Sequence, residues 1–101
     1  MEKTSVGKTS DFAEGHVLGF RIEGNDVAVV KWQERFFAFR NLCTHSAYSF
    51  DHLNLRPDGC LTCVGHFAVF NIQTGEPVEG PTSTALPLFN VSVEADEVFV
   101  S

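Results

Sequence analysis

The chain has 101 residues, a net charge of −6 from seven Lys+Arg against thirteen Asp+Glu, 44% hydrophobic and 20% charged residues, and ten phenylalanines. That is one globular domain's worth of chain, which buries roughly 60–70% of its unfolded surface and folds with little margin. The basic residues Lys3, Lys8, Arg21, Lys31, Arg35, Arg40 and Arg56 are scattered and form no stripe, which argues against nucleic-acid binding.

The N-terminal segment MEKTSVGKTSDF has no apolar core of a signal peptide. No apolar run approaches the ~20 residues of a membrane span. Three cysteines is an odd number, which disfavours a secreted disulfide framework. The expectation is a cytoplasmic, monomeric protein with no membrane partner.

In chain order, the first dozen residues are polar and are expected to be loose. From His16 the pattern alternates: Leu18, Phe20 and Ile22 share one parity, as in a half-buried strand. Gly24-Asn25-Asp26 reads as a turn, Val27 and Val29 as a second strand, and Gln33-Glu34-Arg35 as a turn into a third strand with Phe37 and Phe39 on one face. Tight turns between three short strands make an antiparallel meander.

Residues 41–82 are different. Turn residues are frequent and periodicity is weak. Cys60–Cys63 and Ala68–Ile72 read as short strands, with a hairpin turn at Thr74-Gly75, and 48–54 is the one place where a helical turn is allowed. Alternation returns at Phe89, Val91 and Val93, Glu94–Glu97 turns, and Val98 and Val100 close the chain. The fold class expected is all-β: an antiparallel β-sandwich base with a loop-rich unit inserted between its halves.

The chemistry concentrates in that insert. Cys60 and Cys63 form a C-x-x-C pair, but in a strand residues three apart face opposite ways. A tight turn at Leu61-Thr62 would be needed, and neither residue favours one. Better partners lie upstream. Cys43 and His45 form C-x-H, and Cys63 and His66 form C-x-x-H, so the pattern is C-x-H-x17-C-x-x-H. Each of two loops supplies one sulfur and one imidazole. A single zinc takes two Cys and two His, but its ligand pairs usually sit two to four residues apart. The one-residue gap at Cys43-Thr44-His45 suits delivery of two ligands to two adjacent metal atoms. A [2Fe–2S] rhomb with two His replacing two Cys on one iron asks for that arrangement. Zinc stays open as the alternative.

Cys43-Thr44-His45 and Cys63-Val64-Gly65-His66, with the downstream run Phe70–Pro81, resemble the Rieske-type ferredoxins over most of the chain. The resemblance implies that Cys43 and Cys63 hold the inner iron of a Rieske [2Fe–2S] cluster, that His45 and His66 hold the outer iron near solvent, and that Pro81 belongs to a covering loop. The cluster-binding unit is then about 41–82 of a single domain, 1–101. Val64 stands where the family often has Pro, and Phe67 where it often has Gly. Tyr48 and Gly65 occupy the positions of the extra disulfide of the high-potential members. Ala68 and Phe70 occupy positions where those members carry Ser and Tyr hydroxyls. Hydrogen bonds to cluster sulfur raise the potential, so a value low in the Rieske range, about −150 mV, is expected.

The resemblance further implies no catalytic residues of its own. It implies a one-electron carrier between a flavin-dependent NAD(P)H reductase and a terminal Rieske oxygenase of aromatic hydrocarbon catabolism. The alternatives are the small subunit of an assimilatory nitrite reductase and a zinc-stapled interaction module. Cys60 is read as a packing residue and Tyr48 as packed against the cluster unit. His16 and His52 lack a ligand spacing and are read as surface or loop residues. Asp51, Asp58, Glu76 and Glu79 are read as solvated charge, with a docking rim for a basic partner as the sharper reading.

Overall fold

A computed structural model describes residues 2–44, 48–64, 68–80 and 84–101. Ten strands run in chain order: β1 (Thr4–Lys8), β2 (Leu18–Ile22), β3 (Asn25–Trp32), β4 (Arg35–Arg40), β5 (Cys60–Thr62), β6 (Val69–Asn71), β7 (Pro77–Glu79), β8 (Leu88–Phe89), β9 (Val91–Glu94) and β10 (Glu97–Val100). They form three antiparallel sheets, ordered β1-β10-β9, β2-β3-β4-β8 and β5-β6-β7. The all-β expectation holds. Among the described residues the helical content is one 3-10 turn at Thr9–Asp11.

The meander is present as read, and its turns show why. Each of the three hairpins β2–β3, β3–β4 and β9–β10 closes through two residues, and both have positive φ: Glu23 and Gly24, Gln33 and Glu34, Ala95 and Asp96. That is the geometry whose twist matches a hairpin. The first turn thus falls one residue earlier than Gly24-Asn25-Asp26. Only Gly24 of the six is free of the Cβ penalty, so strand pairing on either side holds the other five in the left-handed region.

Strand β3 is buried on both faces, not one. Val27 and Val29 point into a core with Phe12, Ile22, Ala38, Val98 and Val100, between the two base sheets. Ala28 and Val30 point the other way, into a core with Val17, Phe39, Phe50, Leu61, Phe70 and Leu86. This sheet is therefore the wall between two cores, and the uninterrupted apolar run Val27–Val30 is what a doubly covered strand requires.

Three expectations are corrected. The first dozen residues are not loose. β1 pairs with β10 through Thr4↔Val100 to Lys8↔Glu97, with a bulge between Ser5 and Gly7. The chain then turns so that Phe12, 4% exposed, plugs the base core. Residues 48–54 make no helical turn; Asp51-His52 is a turn, with His52 at φ 62°. The run Phe89–Val93 is not one strand. It divides at Asn90 between β8, on the β4 edge, and β9, beside β10, and Val93 is exposed.

The insert lies between β4 and β8. β5, β6 and β7 form its small sheet, with Leu61↔Phe70 as the buried pair at its centre.

Candidate metal centre

Two loops of the insert close in the same way. The Cys43 N–H donates to the Tyr48 carbonyl at 2.9 Å, and the Cys63 N–H donates to the Ala68 carbonyl at 2.7 Å. In both, a cysteine amide bonds to the carbonyl five residues on, so the two C-x-H-type loops are tied at their bases by one shared device. Both cysteines are buried, Cys43 at 5% and Cys63 at 0% exposure, and both belong to the core beneath the insert. The two sulfurs thus sit at the end of an apolar core and away from bulk water, as thiolate ligands of an iron–sulfur cluster require. His45, His66 and the intervening Gly65 lie outside the described residues, as do Phe67 and Pro81.

The first loop is anchored by a residue that sequence reasoning passed over. Asn41 is 6% exposed. Its backbone N–H donates to the Asp26 carbonyl at 2.9 Å, and its side-chain Oδ1 accepts the Phe50 N–H at 2.7 Å. Its Nδ2 donates to the Asp51 carboxylate. One side chain therefore holds the entry of the loop to its exit. Gly19 makes room for this: a Cβ there would sit 1.8 Å from the Asp51 carboxylate.

A third segment closes on the other two. The Thr44 hydroxyl donates to the Thr84 carbonyl at 2.8 Å, which joins the first loop to the chain after the proline loop. Gly80, at φ +101°, packs on the second loop so closely that a Cβ would lie 2.5 Å from the Ala68 Cα. The only prior signals for these residues were an Asn directly after a strand and a Gly before a Pro.

Cys60 stands apart from Cys43 and Cys63. It is half-buried at the start of β5, and its N–H is capped by the Asp58 carboxylate at 3.0 Å. Burial first, then the negative charge of Asp58, push its thiol above the usual cysteine range. A raised pKa marks an inert thiol rather than a ligand or nucleophile. Tyr48 does not pack into the insert as expected. It is 51% exposed, and Val64, directly after Cys63, is 52% exposed. Of the four acids read as a rim, Asp58 and Glu79 both pair with Arg56, at 3.0 and 3.3 Å, and Asp51 is engaged by Asn41. Glu76 is exposed.

With this geometry in hand, comparison with known proteins is informative. Residues 2–90 match the model of the Rieske [2Fe-2S] domain. The p-cumate 2,3-dioxygenase system ferredoxin component of Pseudomonas putida is 33% identical over 91% of this chain and 79% of that protein. The alkene monooxygenase system ferredoxin component of Xanthobacter autotrophicus is 28% identical over 99% of this chain and 81% of its own length. Among solved structures, a chain from a complex of reduced oxygenase and oxidized ferredoxin in carbazole 1,9a-dioxygenase is 30% identical. It superposes with a TM-score of 0.89, covering 97% of this chain and 100% of that one.

Proposed function

Since the chain belongs to the Rieske [2Fe-2S] domain family, we propose that it is the ferredoxin component of a multicomponent oxygenase, a one-electron carrier with no catalytic residues of its own. Cys43, His45, Cys63 and His66 would hold the cluster, the cysteines supplying two sulfur donors and the histidines two nitrogen donors. The residues present fit that group: two buried sulfurs, on two loops with the same closure, at the rim of one core. This matched pair of loop bases carries the reading, together with the one-residue gap between Cys43 and His45 that suits two adjacent metal atoms better than one. When bound, the cluster accepts and releases a single electron.

The protein's share is holding, drying and presenting. Cys43 and Cys63 are kept in place by their own tied-off amides. Asn41, Gly80 and the Thr44–Thr84 bond keep the three surrounding segments together. Phe50, Leu61 and Phe70 exclude water from beneath. Tyr48 and Val64 offer exposed apolar contact beside the loops, which suits a small, transient interface.

Electrons come from a flavin-dependent NAD(P)H reductase and go to the Rieske centre of a terminal oxygenase. The named relatives are ferredoxin components, which favours a carrier over a nitrite reductase subunit. The protein acts as a cytoplasmic monomer, with 41–82 as the cluster-holding unit of a single domain.

Purified protein is expected to be brown, to carry iron and labile sulfide in equal amounts, and to give a rhombic EPR signal on reduction. Cys43→Ser and Cys63→Ser are expected to lose iron and much of the fold, since binding of the group contributes to folding. Colourless, zinc-containing protein after anaerobic reconstitution sinks the proposal.

A further inference from the structure

His16 and His52, neither of which belongs to the two cysteine loops, form a second constellation. The segment Gly15–Val17 pairs with 52–55: the Val17 N–H donates to the Leu53 carbonyl at 2.9 Å, the His52 N–H to the Val17 carbonyl at 2.8 Å, and the Leu55 N–H to the Gly15 carbonyl at 2.7 Å. His16 and Asn54 face each other across an isolated bridge. This ladder puts the two imidazoles on one surface, with ring centroids 5.5 Å apart and planes at 38°.

The hydrogen bonding sets which nitrogens are free to coordinate. His16 Nδ1 lies 2.9 Å from Asn54 Oδ1. With that oxygen accepting, Nδ1 carries the proton and Nε2 presents a lone pair. An imidazole whose far nitrogen is tied to a carbonyl is the arrangement found behind metal-ligating histidines. The lone pair faces His52 Nδ1 at 3.3 Å. That is a hydrogen-bond separation between the two ring nitrogens. It matches the bite of a tetrahedral zinc, where two nitrogens each about 2.0–2.1 Å from the ion are roughly 3.3–3.4 Å apart.

The geometry points to a surface site for a borderline divalent cation such as Zn²⁺, held by His16 Nε2 and His52 Nδ1 and oriented by Asn54. Imidazole nitrogens select such ions over Mg²⁺ or Ca²⁺. Among the described residues no third His, Cys, Asp or Glu joins the pair, so water completes the coordination. The His52 Nδ1 proton moves to Nε2 as the ring changes tautomer, and Nδ1 turns its lone pair on the metal. The cation clips the chain entering β2 to the chain leaving the first loop, and the net charge of −6 favours its approach.

The test is calorimetric titration of Zn²⁺ into the full-length, tag-free protein as purified, with the visible absorption followed in parallel. One equivalent is expected to bind without change in the visible bands, and Mg²⁺ is expected to give no heat. Asn54→Ala should weaken Zn²⁺ binding by about ten-fold, the usual loss when such an orienting partner goes. His52→Asn, chosen because Asn tolerates the left-handed φ of 62° at this position, should weaken it further. Unchanged affinity in His52→Asn overturns the site, as does equal binding of Mg²⁺. Binding that bleaches the bands also overturns it, because the ion is then at the cysteine loops. The absorption and EPR spectra of the protein before any Zn²⁺ is added report on the cluster separately, so the two readings stand or fall apart.

Discussion

Ala68 and Phe70 carry the clearest consequence at the scale of single residues. Both are fully buried beside the second loop, and neither can donate a hydrogen bond from its side chain. Donors to cluster sulfur stabilise the more negative reduced state. The midpoint potential is therefore expected at about −150 mV, low in the Rieske range; redox titration followed by EPR checks this, and a value above zero refutes it. Cys60 gives a pH prediction. Burial first, then the charge of Asp58, raise its folded pKa above that of the unfolded thiol. The folded state thus holds the proton more tightly than the unfolded one, and the contribution to stability is present below the unfolded pKa and lost as pH rises through the folded one. The unfolding temperature is expected to fall more steeply above about pH 9 in the native protein than in Cys60→Ala. Equal slopes would show the thiol to be unperturbed.

Among the elements, the first loop depends on Asn41 more than on any residue within it. Asn41→Leu removes the acceptor for the buried Phe50 N–H and the donor to Asp51. The expected cost is about 1–3 kcal/mol, the penalty of leaving such groups unpaired, read as a lower denaturant midpoint with faster loss of visible absorption. Unchanged cluster lifetime would show that the clamp is dispensable to the loop. Some of this was legible beforehand: strand parity set Cys63 apart from Cys60, the C-x-H spacing singled out Cys43, and β5 and β6 lie where their apolar runs placed them. Asn41 was not, because its partners Asp26, Phe50 and Asp51 come from two distant segments. β1 was missed for a related reason. Val6 is its only apolar side chain, and what holds it is a backbone ladder with β10, more than ninety residues away at its Thr4↔Val100 end.

At the level of the whole molecule, charge governs encounter with partners. The net charge is −6, but Arg56 offsets Asp58 and Glu79 near the insert. The acidic field is therefore spread over the surface rather than gathered in a rim. A basic partner is still steered by it, and the rate of electron exchange with the proposed reductase is expected to fall as salt shortens the Debye length from about 30 Å at 0.01 M to about 8 Å at 0.15 M. A stopped-flow rate independent of ionic strength would leave Tyr48 and Val64, and not charge, as the docking determinants.

Taken alone, the sequence determined the alternation of β2 to β4, the hairpins that join them and the spacing C-x-H-x17-C-x-x-H. All of these are written in local spacing, and local spacing is what periodicity and chelate geometry can read. Only the tertiary structure decided that β3 is a wall between two cores, that the N-terminus is a paired strand, that Asn41 clamps the first loop and that His16 meets His52. Each of those rests on residues brought together from far apart in the chain, where burial and hydrogen-bond satisfaction, not spacing, choose the partner.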